Sequence, residues 1–450
     1  MYEYDREPVS EKSTYGVSNF IGMFSGEHIA GTEFIIGPLF VVHGVTAPDL
    51  FIGLLIGNIL AVLSWAFYTA PIAVKTRLTV YWQIRKICGP YLTFIYGILY
   101  ALILCLLSGA MISVSATAVG LPFNMPMPEL TDTLPTSMSW VIIVFIVGSV
   151  VSLLAILGFE KLALFAKISA PWMFLVFVAS ALAVLPLLGA NSLGDFWRVA
   201  NEKIWTGNVV EGQSKFTIWH VIFFSWLCNL HQHIGMSDMT IFRYAKKWTY
   251  GFASAFGMFL GHYVAWVASG ILCAAAMGNV APGPIAYMGA GVVGAITVVV
   301  AGWTTANPTL YRAGLSFQVA TPNWKRWKVT LVAGVATTII ACFPAVVMRL
   351  LEVVALYGLI FMPVGAFIFI DFWVFPRLNL KSNYAHVMNK MFSLPAAFAW
   401  AGSLGFSLLL YFKYNIEIYF LALPGWFVTV ILYITFSFLE QRRNPNLTQL

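Results

Sequence analysis

The sequence predicts an all-α integral membrane protein with about twelve transmembrane helices, on three observations. The chain is 60% hydrophobic and only 10% charged over 450 residues, more apolar surface than a soluble domain can bury. Apolar runs of roughly 20 residues, the length that crosses a bilayer, recur from end to end. The basic residues fall unevenly between alternate connections, as topology rules require.

Taken in order, the apolar runs place helices near 17–43, 50–75, 90–119, 138–158, 162–189, 216–240, 249–277, 286–312, 328–348, 350–375, 393–412 and 416–439. Several are longer than a crossing needs, so tilt or breaks are expected. The leading MYEYDREPVSEKSTYG is polar and acidic, lacks the basic and apolar regions of a signal peptide, and reads as a tail over 1–16. If that tail is cytoplasmic, twenty of the 25 Lys and Arg residues lie on its side of the membrane, leaving only Arg198, Lys203, Lys215, Arg349 and Lys413 opposite. The split predicts an even number of spans with both termini inside, in the inner membrane of a bacterium judging by the compact loops. It also makes the net charge of +7 a matter of topology rather than of nucleic-acid binding. Cys88, Cys105, Cys228, Cys273 and Cys342 sit in or beside apolar runs without CxxC spacing, and read as small hydrophobes.

A long polar connection at 190–215 divides the first ten spans into 17–189 and 216–376, with 393–439 as two further helices and 440–450 as a second tail. Five spans is an odd number, so the two sets must run in opposite directions through the membrane. Inverted repeats of this kind typify secondary transporters, which bind substrate and ions at mid-membrane on interrupted helices. The first helix of each set carries such an interruption: FSGEHIAGTE at 24–33 and SWLCNLHQHIG at 225–235. Glu27, His28 and Glu33 are costly inside a bilayer. Glu27, beside Gly26, is the sharpest candidate for a substrate contact, a proton carrier or a cation partner; Glu33 reads equally as a brace. Asn229 belongs to the second interruption. His231 and His233 have a spacing that metals use, but without a third ligand the pair is a weak metal signal.

The stretches YRAGLSFQVATPNWKRWKVTLVAGVATTIIACFP and LYGLIFMPVGAFIFIDFWVFPR resemble the helix 8 to helix 10 region of the nucleobase–cation symporters, the family of cytosine, purine, allantoin and hydantoin permeases, and SDMTIFRYAKKWTYG resembles its helix 6 exit. The resemblance, spread over about residues 8–440, implies a LeuT-like five-plus-five inverted repeat followed by two peripheral helices. It implies cation-coupled uptake of a nucleobase or related small nitrogenous compound by alternating access, with Na⁺ as the expected coupling ion and H⁺ as the alternative.

The resemblance also implies positions. AGWTT supplies the sodium-site spacing of the family, a carbonyl at Ala301 and hydroxyls at Thr304 and Thr305, completed by helix 1 carbonyls that fall at Ser25 and His28. Na⁺ is a hard cation that wants oxygen ligands; a Thr pair otherwise bonds back to its own helix. For the substrate, Trp226 falls within one position of the family's helix 6 tryptophan, while the helix 3 places are Leu104 and Ser108, where many members carry Trp and Gln. The helix 8 asparagine falls near Leu310 or Tyr311, and Asn307 is the nearest amide. With Glu27, His28 and Asn229 these form the expected substrate site, open to a smaller or amine-bearing compound with Glu27 as counter-charge. Helix 10, with Gly358 and Pro363, is the expected thin gate.

Among other classes, a membrane desaturase or hydroxylase needs repeated histidine boxes, and the seven scattered histidines form none. No nucleophile–base pair marks a protease or transferase, and no repeated filter motif marks a channel. A same-fold symporter for an amine, vitamin or amino acid is the serious alternative. The expected partners are a small-molecule substrate and the lipid bilayer, with no nucleic acid, no obligate protein partner and no cofactor.

Overall fold

The computed structural model describes residues 3–129, 132–277, 281–346 and 350–443. Among them nine helices are long and apolar enough to cross a membrane, and two interrupted helices with one shorter helix complete twelve. They are α1 (Val17–His28 and Glu33–Val42), α2 (Ala47–Thr76), α3 (Pro90–Val119), α4 (Met138–Leu157), α5 (Phe159–Leu188) and α6 (Ile218–Leu227, continued by Leu230–His233). They continue with α7 (Trp248–Ala275), α8 (Pro282–Phe317), α9 (Arg326–Ala341), α10 (Leu350–Phe369), α11 (Leu394–Tyr414) and α12 (Ala422–Arg442). The structure is α1–α5 and α6–α10 as two sets, each beginning with its interrupted helix, and α11 packed on α12 at the edge.

Local chemistry sets the ends. Thr46 caps α2 by accepting from the Asp49 amide, and Ser137 and Ser393 do the same for α4 and α11. Gly89 and Gly158, both at positive φ, separate α3 and α5 from the segments before them. The first helix stops at His28 because Ile29 leaves the helical region at φ −92°, ψ 68°. The sixth stops at Leu227, with Asn229 at φ −110°, ψ 29° before the short second piece.

Among the described residues, two helices of seven or more residues lie outside the apolar runs. Val80–Cys88 is a short amphipathic helix with Arg85 and Lys86 outward and Tyr81, Ile84 and Ile87 buried. Leu193–Val199 opens with a Ser192–Asp195 capping box inside the 190–215 connection. Neither is long enough to cross, so a hydropathy window passes over both. The expected end of α8 at 312 is also corrected: the helix runs to Phe317. Arg312, Arg243 and Arg326 are 1%, 0% and 7% exposed, so these three are interior cations rather than loop charges. Arg349 and the last seven residues of the second tail lie outside the described residues.

The segment before α1 is docked, not free. Glu3 is buried, and its carbonyl accepts from Arg243 Nη2 at 2.8 Å and Tyr244 Oη at 2.8 Å. Tyr311 Oη donates to the Glu3 carboxylate at 2.7 Å. This contact joins the chain start to α8 and to the segment after α6, on the face that carries the N-terminus.

Candidate functional site

The two helix breaks face each other, and α8 runs past both. Between them lies an internal cavity of about 70 Å³, room for roughly five waters. Polar side chains from α1 (Glu27, His28, Thr32, Glu33), from the α6 break (Asn229, His231, Gln232), from α7 (His262) and from α8 (Thr305, Thr309, Arg312) line it. Leu104, Leu107 and Met111 of α3 supply an apolar wall. No tryptophan ring is part of that lining among the described residues.

The strongest feature is an ion network that the sequence reading missed. Arg312 grips Glu27 through two hydrogen bonds, Nη1 to Oε1 at 2.6 Å and Nη2 to Oε2 at 3.1 Å, and gives a third to Asp238 Oδ1 at 2.6 Å. Gln232 Nε2 donates to Glu27 Oε1 at 2.8 Å, and Trp65 Nε1 to Asp238 Oδ2 at 2.7 Å. All three charged groups are at most 4% exposed. A planar guanidinium presents parallel donors that match a carboxylate, which makes arginine the suitable residue for a buried pair of this kind. The network ties α1, α8, α2 and the segment after the α6 break together. Glu27 is therefore not a free counter-charge awaiting an amine. It already has its cation.

On the other side of the α1 break the chemistry differs. Glu33, 2% exposed, receives the Trp266 indole N–H at Oε2 and a long contact of 3.5 Å from the Thr32 hydroxyl at Oε1. Its backbone carbonyl accepts from Ser269 Oγ at 2.7 Å. Between the two carboxylates, Asn229 Nδ2 stands 3.3 Å from both His28 Nδ1 and His262 Nε2. With the amide as donor to both, the ring protons are assigned to His28 Nε2 and His262 Nδ1. His28 and His262 meet edge to face with centroids 4.9 Å apart.

The expected site residues divide clearly. Glu27, His28, Leu104 and Asn229 line the cavity. Trp226 does not: its indole N–H donates to Ser64 Oγ at 3.1 Å, and the ring packs on Phe223. Ser108 is turned to the Ala306 carbonyl at 3.0 Å. Asn307 is 2% exposed and also lies outside the lining. His231 packs on Tyr357 while His233 bonds the Trp226 carbonyl, so the His-x-His pair faces two different partners. No cluster of three or more metal-ligating side chains occurs among the described residues.

At the expected cation position, the Ala301 carbonyl has both the Thr304 and Thr305 hydroxyls at 3.0 Å, and Thr305 Oγ1 also meets the Glu27 carbonyl at 3.2 Å. The helix 1 oxygen presented to Thr305 is thus that of Glu27. The Ser25 carbonyl instead accepts the Ile29 amide at 2.9 Å. The His28 carbonyl faces α7, where a Cβ on Gly261 would stand 2.1 Å from it. On α10, a Cβ on Gly358 would stand 3.5 Å from the Leu230 side chain. A Cβ on Gly365 would meet the Ile234 carbonyl at 1.8 Å, so Gly365, not Gly358, is where α10 closes on the chain after the α6 break.

No protein-family model matches the chain, and no curated protein matches it. Solved structures do. Mhp1, a nucleobase-cation-symport-1 family transporter, in a closed conformation with bromovinylhydantoin bound, superposes with a TM-score of 0.73 at 16% identity, covering 98% of this chain and 96% of that one. Inward-facing Mhp1 gives 0.74 at 14% identity over 97% and 94%. A Na⁺-coupled sialic acid symporter in a substrate-bound outward-open state gives 0.68 at 12% identity over 94% and 89%. The fold is that of these proteins: a five-plus-five inverted repeat with two further helices, in a multi-pass membrane protein.

Proposed function

We propose that this chain is a secondary active transporter that couples a cation to the movement of a nucleobase or related small nitrogenous compound by alternating access. The observation that carries the proposal is the pair of facing helix breaks with a polar cavity between them, in a fold whose solved members named above are transporters. Broken helices free backbone groups at mid-membrane, which is tolerated only where they line a site.

Each part has a role. The Ala301 carbonyl, the Thr304 and Thr305 hydroxyls and the Glu27 carbonyl offer a sodium ion four oxygens from α1 and α8. An ion held there favours the arrangement in which the two helices stay together, and coupling follows from that difference in affinity. Substrate would enter the cavity beside His28, Asn229, Gln232 and His262, whose ring nitrogens and amides read hydrogen-bonding edges. The termini would face the cytoplasm, as the basic residues outside the core suggest. The apolar wall facing these groups is Leu104, Leu107 and Met111, which favours a compact polar solute over one held by stacking alone.

The test is thermal stability of the purified protein against nucleobases, hydantoins, vitamins, amines and amino acids, each in sodium and in choline, since bound ligand stabilises according to its saturation. Sodium-dependent stabilisation by a nitrogenous heterocycle is the expected result. A panel in which nothing stabilises in either salt would defeat the proposal.

A further inference from the structure

The α1 break separates two buried carboxylates that the fold treats differently. Glu27 shares Arg312 with Asp238. Glu33 has neutral donors, Trp266 and Thr32, and no ion-pair partner among the described residues. A carboxylate buried in a membrane interior without a cation is strongly disfavoured, so a positive charge must reach it in some state of the molecule.

The surroundings decide which charge. Ile36 and Cys228 line the cavity beside Glu33, and His262, its ring stacked on Trp266 at 4.4 Å, closes that side. None of these supplies an oxygen, and the Glu33 carbonyl is already taken by Ser269. A sodium ion wants several oxygen ligands, and of the side chains that bond the Glu33 carboxylate only Thr32 offers one. A proton needs a single oxygen. The other titratable groups facing this end of the cavity are Cys228, His262, His28 and His231, with the Glu27–Arg312 pair further along.

Resting on the transporter reading above, we propose that Glu33 is a proton-carrying site, distinct from the ion-paired Glu27. Its carboxyl holds the proton while the cavity is closed and releases it when opening admits water to the carboxylate. The step balances simply: the O–H bond forms on loading, breaks on opening, and the proton passes to water.

Infrared difference spectroscopy of the full-length protein in lipid nanodiscs, exchanging buffers of acid and alkaline pH in sodium, tests this without any substrate. A protonated-carboxyl band present at neutral pH in the native protein and in Glu27→Gln, and missing from Glu33→Gln, is the expected result. Trp266→Phe removes the indole donor and should shift that band without deleting it, which keeps the test available if Glu33→Gln does not fold. The proposal is overturned if the native protein shows no such band at neutral pH, if Glu33→Gln keeps it unchanged, or if it disappears from Glu27→Gln or Asp238→Asn instead. Ligand-dependent thermal stabilisation is measured separately, so loss of the proton assignment leaves the transporter reading standing, and the reverse.

Discussion

Glu27 and Glu33 are six residues apart on the same interrupted helix and both are almost wholly buried, yet one ends in an ion network and the other against an indole. Arg312 makes the first a structural tie between α1 and α8, shared with Asp238 after the α6 break. The second meets neutral donors, Trp266 and Thr32, and makes no ion pair among the described residues. The lesson is that a buried acid in a membrane helix is not read from its own position. Its role is set by whichever charge the fold brings opposite, and an acid that already has a cation is poorly placed to take another.

If that contrast is right, substitutions on the two sides should differ in size. Arg312→Met leaves two buried carboxylates without a cation, and thermal or denaturant unfolding should show a loss of about 3–5 kcal/mol. Stability within experimental error of the native protein would dissolve the distinction between the two sides. Asp238→Asn keeps the Glu27–Arg312 pair and should cost less, about 1–3 kcal/mol for one charged hydrogen bond. An equal or larger loss than Arg312→Met would show that Asp238, not Glu27, is the principal partner. Thr305→Ala removes a hydroxyl between α1 and α8, and the sodium concentration needed for half-maximal ligand stabilisation should rise about tenfold, roughly 1.4 kcal/mol. An unchanged sodium curve would move the cation elsewhere. Trp226→Phe deletes the bond to Ser64 and should lower stability by about 1 kcal/mol while leaving ligand-induced stabilisation intact. Loss of ligand response there would return a stacking role to that ring. Glu33→Gln should be the mildest, within about 1 kcal/mol, since an amide oxygen can still accept from Trp266; a loss matching Arg312→Met would mean that Glu33 carries a structural charge.

Much of the architecture was legible beforehand because hydropathy and length suffice for a membrane helix. The same logic exposed the two interruptions: FSGEHIAGTE and NLHQHIG are polar where lipid forbids polarity. Hydropathy gives no account of what each polar group faces. A hydropathy span that ends α8 at 312 leaves Arg312 at the helix end, although the apolar AGLSF that follows carries the helix to Phe317. That continuation was the signal that could have placed the arginine inside. Asp238 was visible as part of a motif, but nothing in the spacing of 27, 238 and 312 brings them together. The resemblance points to Trp226, and its helix turns the ring to Ser64. His262 carries no signal of its own in the sequence, being one histidine in an apolar run.

By itself, then, the sequence determined the membrane class, the number of spans, the two opposed sets of five and the location of both breaks. These follow from the cost of placing polar backbone or side chains in hydrocarbon, a cost each segment meets on its own. The tertiary structure decided which buried charges are paired, which helix 1 carbonyl meets Thr305, and which glycine lets α10 approach the chain after the α6 break. Those depend on contacts between residues hundreds of positions apart, where rotation of a helix by one residue exchanges one partner for another.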